Sequence, residues 1–131
     1  MTVTKIGAAL STQLATLDLP TAWENTRFKP TLGQVYLVES LIAGKTIAMG
    51  IAAQASDEYG GIYQVLVYAP ADAGKGIGRA TADTVAGAFV RGDRLVYEGV
   101  TVTIMSTSQA TGFMSGDRWI IPVSVAYRSF L

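Results

Sequence analysis

The chain has 131 residues, ten basic and ten acidic side chains that cancel to zero net charge, and neither histidine nor cysteine. This composition excludes ordinary zinc, haem and iron–sulfur sites, cysteine nucleophiles, disulfides and histidine-based catalytic triads. The length predicts a single domain spanning residues 1–131, and zero net charge favours association between copies. The first 17 residues lack the uninterrupted apolar core of a signal peptide, so we expect a protein made in the cytoplasm without a membrane anchor.

The first third of the chain predicts one helix and one strand. Apolar residues recur at helical spacing from Ile6 to Leu17, which predicts an amphipathic helix over residues 4–17. Residues 18–33 contain two prolines and no sustained hydrophobic period, which predicts an extended connection. Residues 34–42 alternate and are rich in β-formers, which predicts a strand with both faces partly covered.

The middle of the chain predicts a long irregular or loosely paired segment, a strand and a second helix. Residues 43–59 carry small residues and an acidic pair, and loops of this length are usually mobile or functional. A strong strand follows over 62–70. Helical spacing over 76–91 predicts a helix with Ile77, Val85 and Phe89 toward the core and Gly92 as its C-cap.

The last third predicts a hairpin and a long final strand. Residues 94–98 and 100–106 flank a short turn at Glu98 and Gly99, and a glycine-containing loop over 109–117 leads to a strand over 118–131. Pro122 lacks an amide hydrogen, which predicts an edge position or a bulge. The elements together predict an α+β fold with a mixed, mainly antiparallel sheet packed against two helices.

Three short motifs invite a chemical interpretation. The glycine-containing turn over 70–80 lies between a strand and a helix, but it lacks the spacing of a phosphate-binding loop around Lys75. A small nucleotide-binding enzyme that uses this turn remains an alternative of a different class. Arg91, Gly92 and Asp93 spell an adhesion tripeptide, which reads here as a charged helix end. The adjacent Asp57 and Glu58 lack the burial that would separate their pKa values for acid–base catalysis.

Several phrases in order resemble one family. They are AWENTRFKP (22–30), VYLVESL (35–41), GIYQVLVYAP (61–70), AFVRGDRL (88–95) and the W-x-x-P-V-S-V-x-Y-R pattern over 119–128. Together they cover most of the chain and are similar to the small tail terminator proteins of long-tailed bacteriophages and prophages. The resemblance implies a structural protein without catalysis or cofactor, which forms a hexameric ring at the head-proximal end of the virion tail. A tail tube subunit or a head–tail connector protein is the alternative within the virion.

The resemblance also implies partners. We expect the ring to cap the tail tube protein, to stop its polymerisation and to offer a surface to the head–tail connector, while DNA only passes through the lumen. The contact residues expected for the tube or a second copy are charged side chains on loops and rims. They are Asp57, Glu58, Arg79, Arg91, Arg118 and Arg128.

Overall fold

The computed structural model describes residues 2–29, 33–51, 57–71 and 75–130. Two helices and eight strands make up this part of the chain. The helices are α1 (Thr2–Ala15) and α2 (Lys75–Ala88). The strands are β1 (Thr21–Ala22), β2 (Tyr36–Ala43), β3 (Ile47–Ala48), β4 (Asp57–Pro70), β5 (Arg94–Tyr97), β6 (Val100–Gln109), β7 (Phe113–Ser115) and β8 (Arg118–Phe130).

The strands form one sheet in the order β1-β2-β4-β8-β6-β5, with β3 against β4 and β7 against β8. All pairs are antiparallel except β1 with β2. The predicted α+β class, with a mixed and mainly antiparallel sheet against two helices, is therefore confirmed. The helix α1 contacts β5 and β6 near one edge and also β2 near the other, so the sheet curls around the helices.

Both helices lie on the same face of the sheet, which we call the helix-covered face, and their apolar stripes form a single core with it. From α1 this core takes Ile6, Leu10 and Leu14, which are fully buried. Each such side chain contributes about 1.5–3 kcal/mol through removal of apolar surface from water. The side-chain Nε2 of Gln13 donates to the carbonyl of Ala88 at 2.8 Å and so joins α1 to the last turn of α2.

The predicted orientation of the second helix is wrong at Ile77, which is 49% exposed. Val85 and Phe89 are buried as predicted, but the stripe continues through Ala82 and Gly78 instead. A Cβ atom at Gly78 would lie 2.9 Å from Ile121 Cδ1 and 3.3 Å from Ala69 Cβ, so glycine lets the helix approach the sheet closely here. A search for periodic hydrophobic residues does not count glycine as apolar. It therefore predicted that Ile77, and not the neighbouring Gly78, faces the core.

The prediction that Gly92 is the C-cap of α2 is also wrong. The helix ends at Ala88, and Gly92 stands four residues later in a turn with φ 91°. Its amide donates to the carbonyl of Ile104 in β6 at 2.8 Å. The positive φ serves the turn into β5 rather than the helix end.

The hairpin between β5 and β6 is confirmed, with its turn at Glu98 and Gly99. Both turn residues have positive φ, 47° and 82°, the arrangement of a type I′ turn that matches the twist of the flanking strands.

The final strand is central rather than at an edge, so one predicted position of Pro122 is wrong. β8 pairs along its whole length with β4, from Pro70 opposite Arg118 to Glu58 opposite Phe130. The carbonyl of Pro122 accepts from the amide of Ala110 at 2.9 Å, so its amide side faces the gap between β6 and β7. The missing hydrogen therefore removes no bond to β4.

Candidate functional site

The structure brings two of the expected contact residues together on the face of the sheet that neither helix covers, which we call the open face. Glu58 is the second residue of β4, after Asp57, and Arg128 lies near the end of β8. The Arg128 Nε donates to Glu58 Oε1 at 2.6 Å, and the guanidinium also lies 5.8 Å from the ring centroid of Phe130. Since side chains alternate along β4, Asp57 points to the opposite side of the strand.

Arg79 lies on α2, on the other side of the sheet. Its Nη1 donates to Gln109 Oε1 at 2.8 Å, and Gln109 Nε2 donates to Asp83 Oδ1 at 2.6 Å. A β-bulge at Met105 makes this contact possible, because it shifts the register of β6 and turns Gln109 toward the helix.

Arg118 is not the exposed rim charge that the sequence suggested, since it is only 8% exposed. Its Nη1 donates to the carbonyl of Gln34 at 2.6 Å, and its guanidinium lies 5.0 Å from the ring centroid of Tyr36. Tyr36 in turn packs against the rings of Phe28 and Tyr68, with centroid distances of 5.1 and 4.9 Å. The chain leading into β2 therefore covers this arginine and holds it in place.

Arg91 is exposed in the turn after α2. The six expected residues thus occupy both faces of the sheet, one buried site and one turn, and they do not converge on a single site. Their role in contacts with other chains stays a prediction. Trp23 and Trp119 pack against the core, and Tyr127 is part of it.

Sequence reasoning missed a buried polar cluster around Glu39. This carboxylate lies on the helix-covered face of β2, where Ser11 Oγ donates to Oε2 at 2.7 Å and the amide of Glu24 donates to Oε1 at 3.2 Å. The hydroxyl of Tyr63 donates to Oε2 as well. Glu39 occupies the same strand face as Leu37 and Leu41, so a charge within an apolar alternation was the available signal.

A cavity of about 330 Å³ opens beside this cluster, between α1 and the edge of β2. Val3, Gly7 and Leu41 line its apolar part, and Glu24 and Glu39 contribute carboxylates. Burial, reinforced by the hydrogen bond to Glu39, raises the pKa of Tyr63, so this hydroxyl stays protonated as a donor. The donors that converge on Glu39 make the cluster a satisfied buried polar network.

Other features bear on chemistry. Among the described residues, no group of three or more metal-ligating side chains converges. Residues 72–74 of the 70–80 turn, and residues 52–56 of the 43–59 segment, lie outside the described residues. In the described part of the 43–59 segment, β3 pairs with the start of β4, which agrees with the loosely paired form of the prediction. Neither of the two helices has the length and apolarity needed to cross a membrane.

Comparison with known proteins places the chain in a family. The family described as phage tail terminator protein matches residues 5–127. The chain is also similar to a solved protein structure with a TM-score of 0.81 and 25% sequence identity, over 98% of this chain and 96% of that one. No curated protein matches it. Because the match extends over nearly the whole sequence, the chain belongs to the phage tail terminator protein family.

Proposed function

We propose that this protein forms a hexameric ring that caps the phage tail tube, stops its polymerisation and provides the surface for head–tail joining. The observation that carries the proposal is the family match over residues 5–127. In this function the protein acts by shape and contact, without covalent chemistry and without a cofactor. It would stand at the head-proximal end of the tail.

The open face supports a role in contact with other chains. Its side chains include exposed apolar residues next to the Glu58–Arg128 ion pair, and these apolar residues are Ile42, Ile47, Ile62 and Phe130. Apolar side chains grouped on an exposed surface are typical of interaction sites.

The size of the chain also fits a ring. A closed ring needs two different patches on each subunit, and a standard patch covers about 800 Å². Two such patches would cover about a fifth of the 7624 Å² surface of the single chain. Zero net charge adds no repulsion between copies. Zero net charge is also compatible with a lumen through which DNA passes without being held.

The residues expected from the sequence to make contacts divide by place. We propose Asp57, Glu58 and Arg128, which lie where the start of β4 meets β3 and the end of β8, and Arg91 in its exposed turn as contacts with the tube protein, the connector or a second copy. We propose that Arg79 takes part in the same contacts from its position on α2. Arg118 acts only indirectly, because it holds the chain around Gln34.

The test is electron microscopy of tails assembled in a phage or prophage that lacks this protein. We expect overlong tubes without heads, and expression of the chain in trans restores the normal length. If no tubes form, the protein is a tube subunit. Tubes of normal length that fail to join heads would identify a head–tail connector instead.

A further inference from the structure

The sheet has two free edges, and they are different strands of the same chain. On one side, β1 pairs with β2 only at Leu37 and Val38, and no described strand pairs with residues 39–43 on that side. On the other side, β6 is the one described strand that pairs with β5. Free edges present unpaired amides and carbonyls that invite another strand.

The hydrogen-bonding groups that face outward on β2 belong to its odd-numbered residues. The amide of Leu37 donates to the carbonyl of Pro20 at 2.8 Å, and the amide of Leu41 donates to Glu24 Oε2 at 2.8 Å. The same alternation turns the amide of Ala43 outward. On this edge, therefore, an exposed carboxylate takes the place that a partner strand would occupy.

On β5 the outward groups belong to Arg94 and Val96. The two-residue turn makes Tyr97 and Val100 a hydrogen-bonded pair, so the groups of Leu95 and Tyr97 face β6. Leu95 and Tyr97 also direct their side chains to the core. Val96 lies on the opposite face and is 69% exposed.

The two edges match each other in strand direction. Four antiparallel pairings separate β2 from β5, so the two strands run the same way in one subunit. A rotation about an axis along the strands therefore sets β5 of one copy parallel to β2 of the next. The β2 edge already holds a parallel partner, because β1 pairs with it in that sense.

The register follows from the outward groups. With Leu41 opposite Leu95 of a neighbour, both side chains stay on the helix-covered face, as in a continuous parallel sheet. The Leu41 amide then donates to the Arg94 carbonyl, the Val96 amide to the Leu41 carbonyl, and the Ala43 amide to the Val96 carbonyl. All outward groups between these residues are paired.

The same register also joins two exposed apolar side chains. It sets Ile42, which is 49% exposed, directly beside Val96 on the open face. Neighbouring side chains on adjacent strands stabilise a sheet by about 0.2–1 kcal/mol when they are apolar or β-branched.

We propose that β5 of one copy adds to the β2 edge of the next copy as a parallel strand, and that the Glu24 carboxylate leaves the Leu41 amide when it does so. The seam is heterologous, because each copy uses a different edge on each side, and such seams can close into a ring. The proposal rests on the proposed ring and names the surface that joins its subunits.

Proline at an outward amide tests the seam without breaking a bond inside the subunit. We expect Ala43→Pro and Val96→Pro to remain folded by circular dichroism and to lose the ring, measured by sedimentation or by binding to tails that lack the protein. The matched controls Ala43→Ser and Val96→Thr keep the amide and assemble like the wild type. Glu24→Ala frees the edge and is expected to lower the concentration for assembly about tenfold. An unchanged assembly concentration for Glu24→Ala would contradict the release of Glu24.

Cysteine trapping tests the register, since the chain contains no cysteine of its own. Paired residues on adjacent strands lie within the Cα distance of a disulfide. Under oxidation, the double variant Ile42→Cys with Val96→Cys is expected to give a ladder of linked species up to the closed ring, whereas a mixture of the two single variants gives only dimers. Each single variant alone stays unlinked.

The possible outcomes distinguish failure of the proposed β5–β2 seam from failure of the proposed ring. Proline variants that assemble like the wild type, or a ring that forms without the disulfide ladder, would overturn the seam and leave the ring intact. Disulfide dimers of Ile42→Cys alone would show that two β2 edges meet, and would overturn it too. Absence of a ring both in solution and on tails would instead count against the proposed function.

Discussion

Removal of the Tyr63 hydroxyl is expected to destabilise the fold, because Tyr63 donates to a buried carboxylate. Tyr63 is 1% exposed, and its hydroxyl bonds Glu39 Oε2, which also accepts from Ser11. A hydrogen bond to a charged group contributes about 1.5–3 kcal/mol, and phenylalanine keeps the packing of the ring. Tyr63→Phe therefore lowers the free energy of unfolding by about 1.5–3 kcal/mol at pH 7.

Urea unfolding followed by circular dichroism measures this loss. With an m value of about 1–3 kcal/mol/M, the midpoint falls by about 1 M. Tyr68→Phe is the matched control, because Tyr68 stacks on Tyr36 at a centroid distance of 4.9 Å on the open face. The control is expected to stay within about 0.5 kcal/mol of the wild type. Equal midpoints for Tyr63→Phe and the wild type would refute the account of the Glu39 cluster.

The loss also depends on pH in a defined direction. Burial, and then the hydrogen bond to Glu39, raises the pKa of Tyr63 in the folded state. Above about pH 10 the unfolded chain releases this proton and the folded chain keeps it, so stability falls by about 1.4 kcal/mol per pH unit. Phenylalanine removes that contribution. The difference between wild type and Tyr63→Phe is thus full below pH 10 and shrinks above it, and a constant difference would contradict the assignment.

Three further substitutions test other parts of the fold. Gly61→Ala is expected to cost about 1–3 kcal/mol, because its Cβ would overlap the Ile42 carbonyl, whereas Gly60→Ala meets nothing closer than 3.6 Å and costs less; thermal unfolding compares the two. Glu98→Asn is expected to raise Tm by a few degrees, since φ at this turn position is 47° and asparagine tolerates it better. Glu58→Gln is expected to cost at most about 1 kcal/mol, because its ion pair is partly exposed, and the cost falls further in high salt.

The regular elements were predictable because each has a strong period of its own. The stripe from Ile6 to Leu14 repeats at helical spacing within the sequence itself, and buried residues alternate with less buried ones from Ile121 to the end of β8. The position of each strand within the sheet was less predictable, because it depends on where the neighbouring strands begin and end. Pro122 tolerates a central strand only since β6 ends at Gln109 and β7 begins at Phe113.

The polar contacts depend on residues far apart in sequence, which explains why charge alone misplaced them. Arg118 looks exposed in a strand pattern, yet the chain before β2, 84 residues away, supplies its acceptor at Gln34. Gln109 meets Arg79 only after the bulge at Met105 reverses the alternation of β6. Local periods contain no information on either event, whereas Glu39 within an apolar alternation is visible in the sequence itself.

Zero net charge makes local protection of the sheet edges necessary. Copies without long-range repulsion meet readily, and a free strand edge then risks pairing without limit. Two features restrain this in the single chain: β5 is only four residues long, and the Glu24 carboxylate occupies the Leu41 amide on β2. Both restraints are weak enough to be reversed by contacts that a correct partner adds. An edge of this kind suits a protein that must assemble at one place. The Glu24→Ala variant tests whether the Glu24 carboxylate inhibits pairing at the β2 edge or has no effect on assembly.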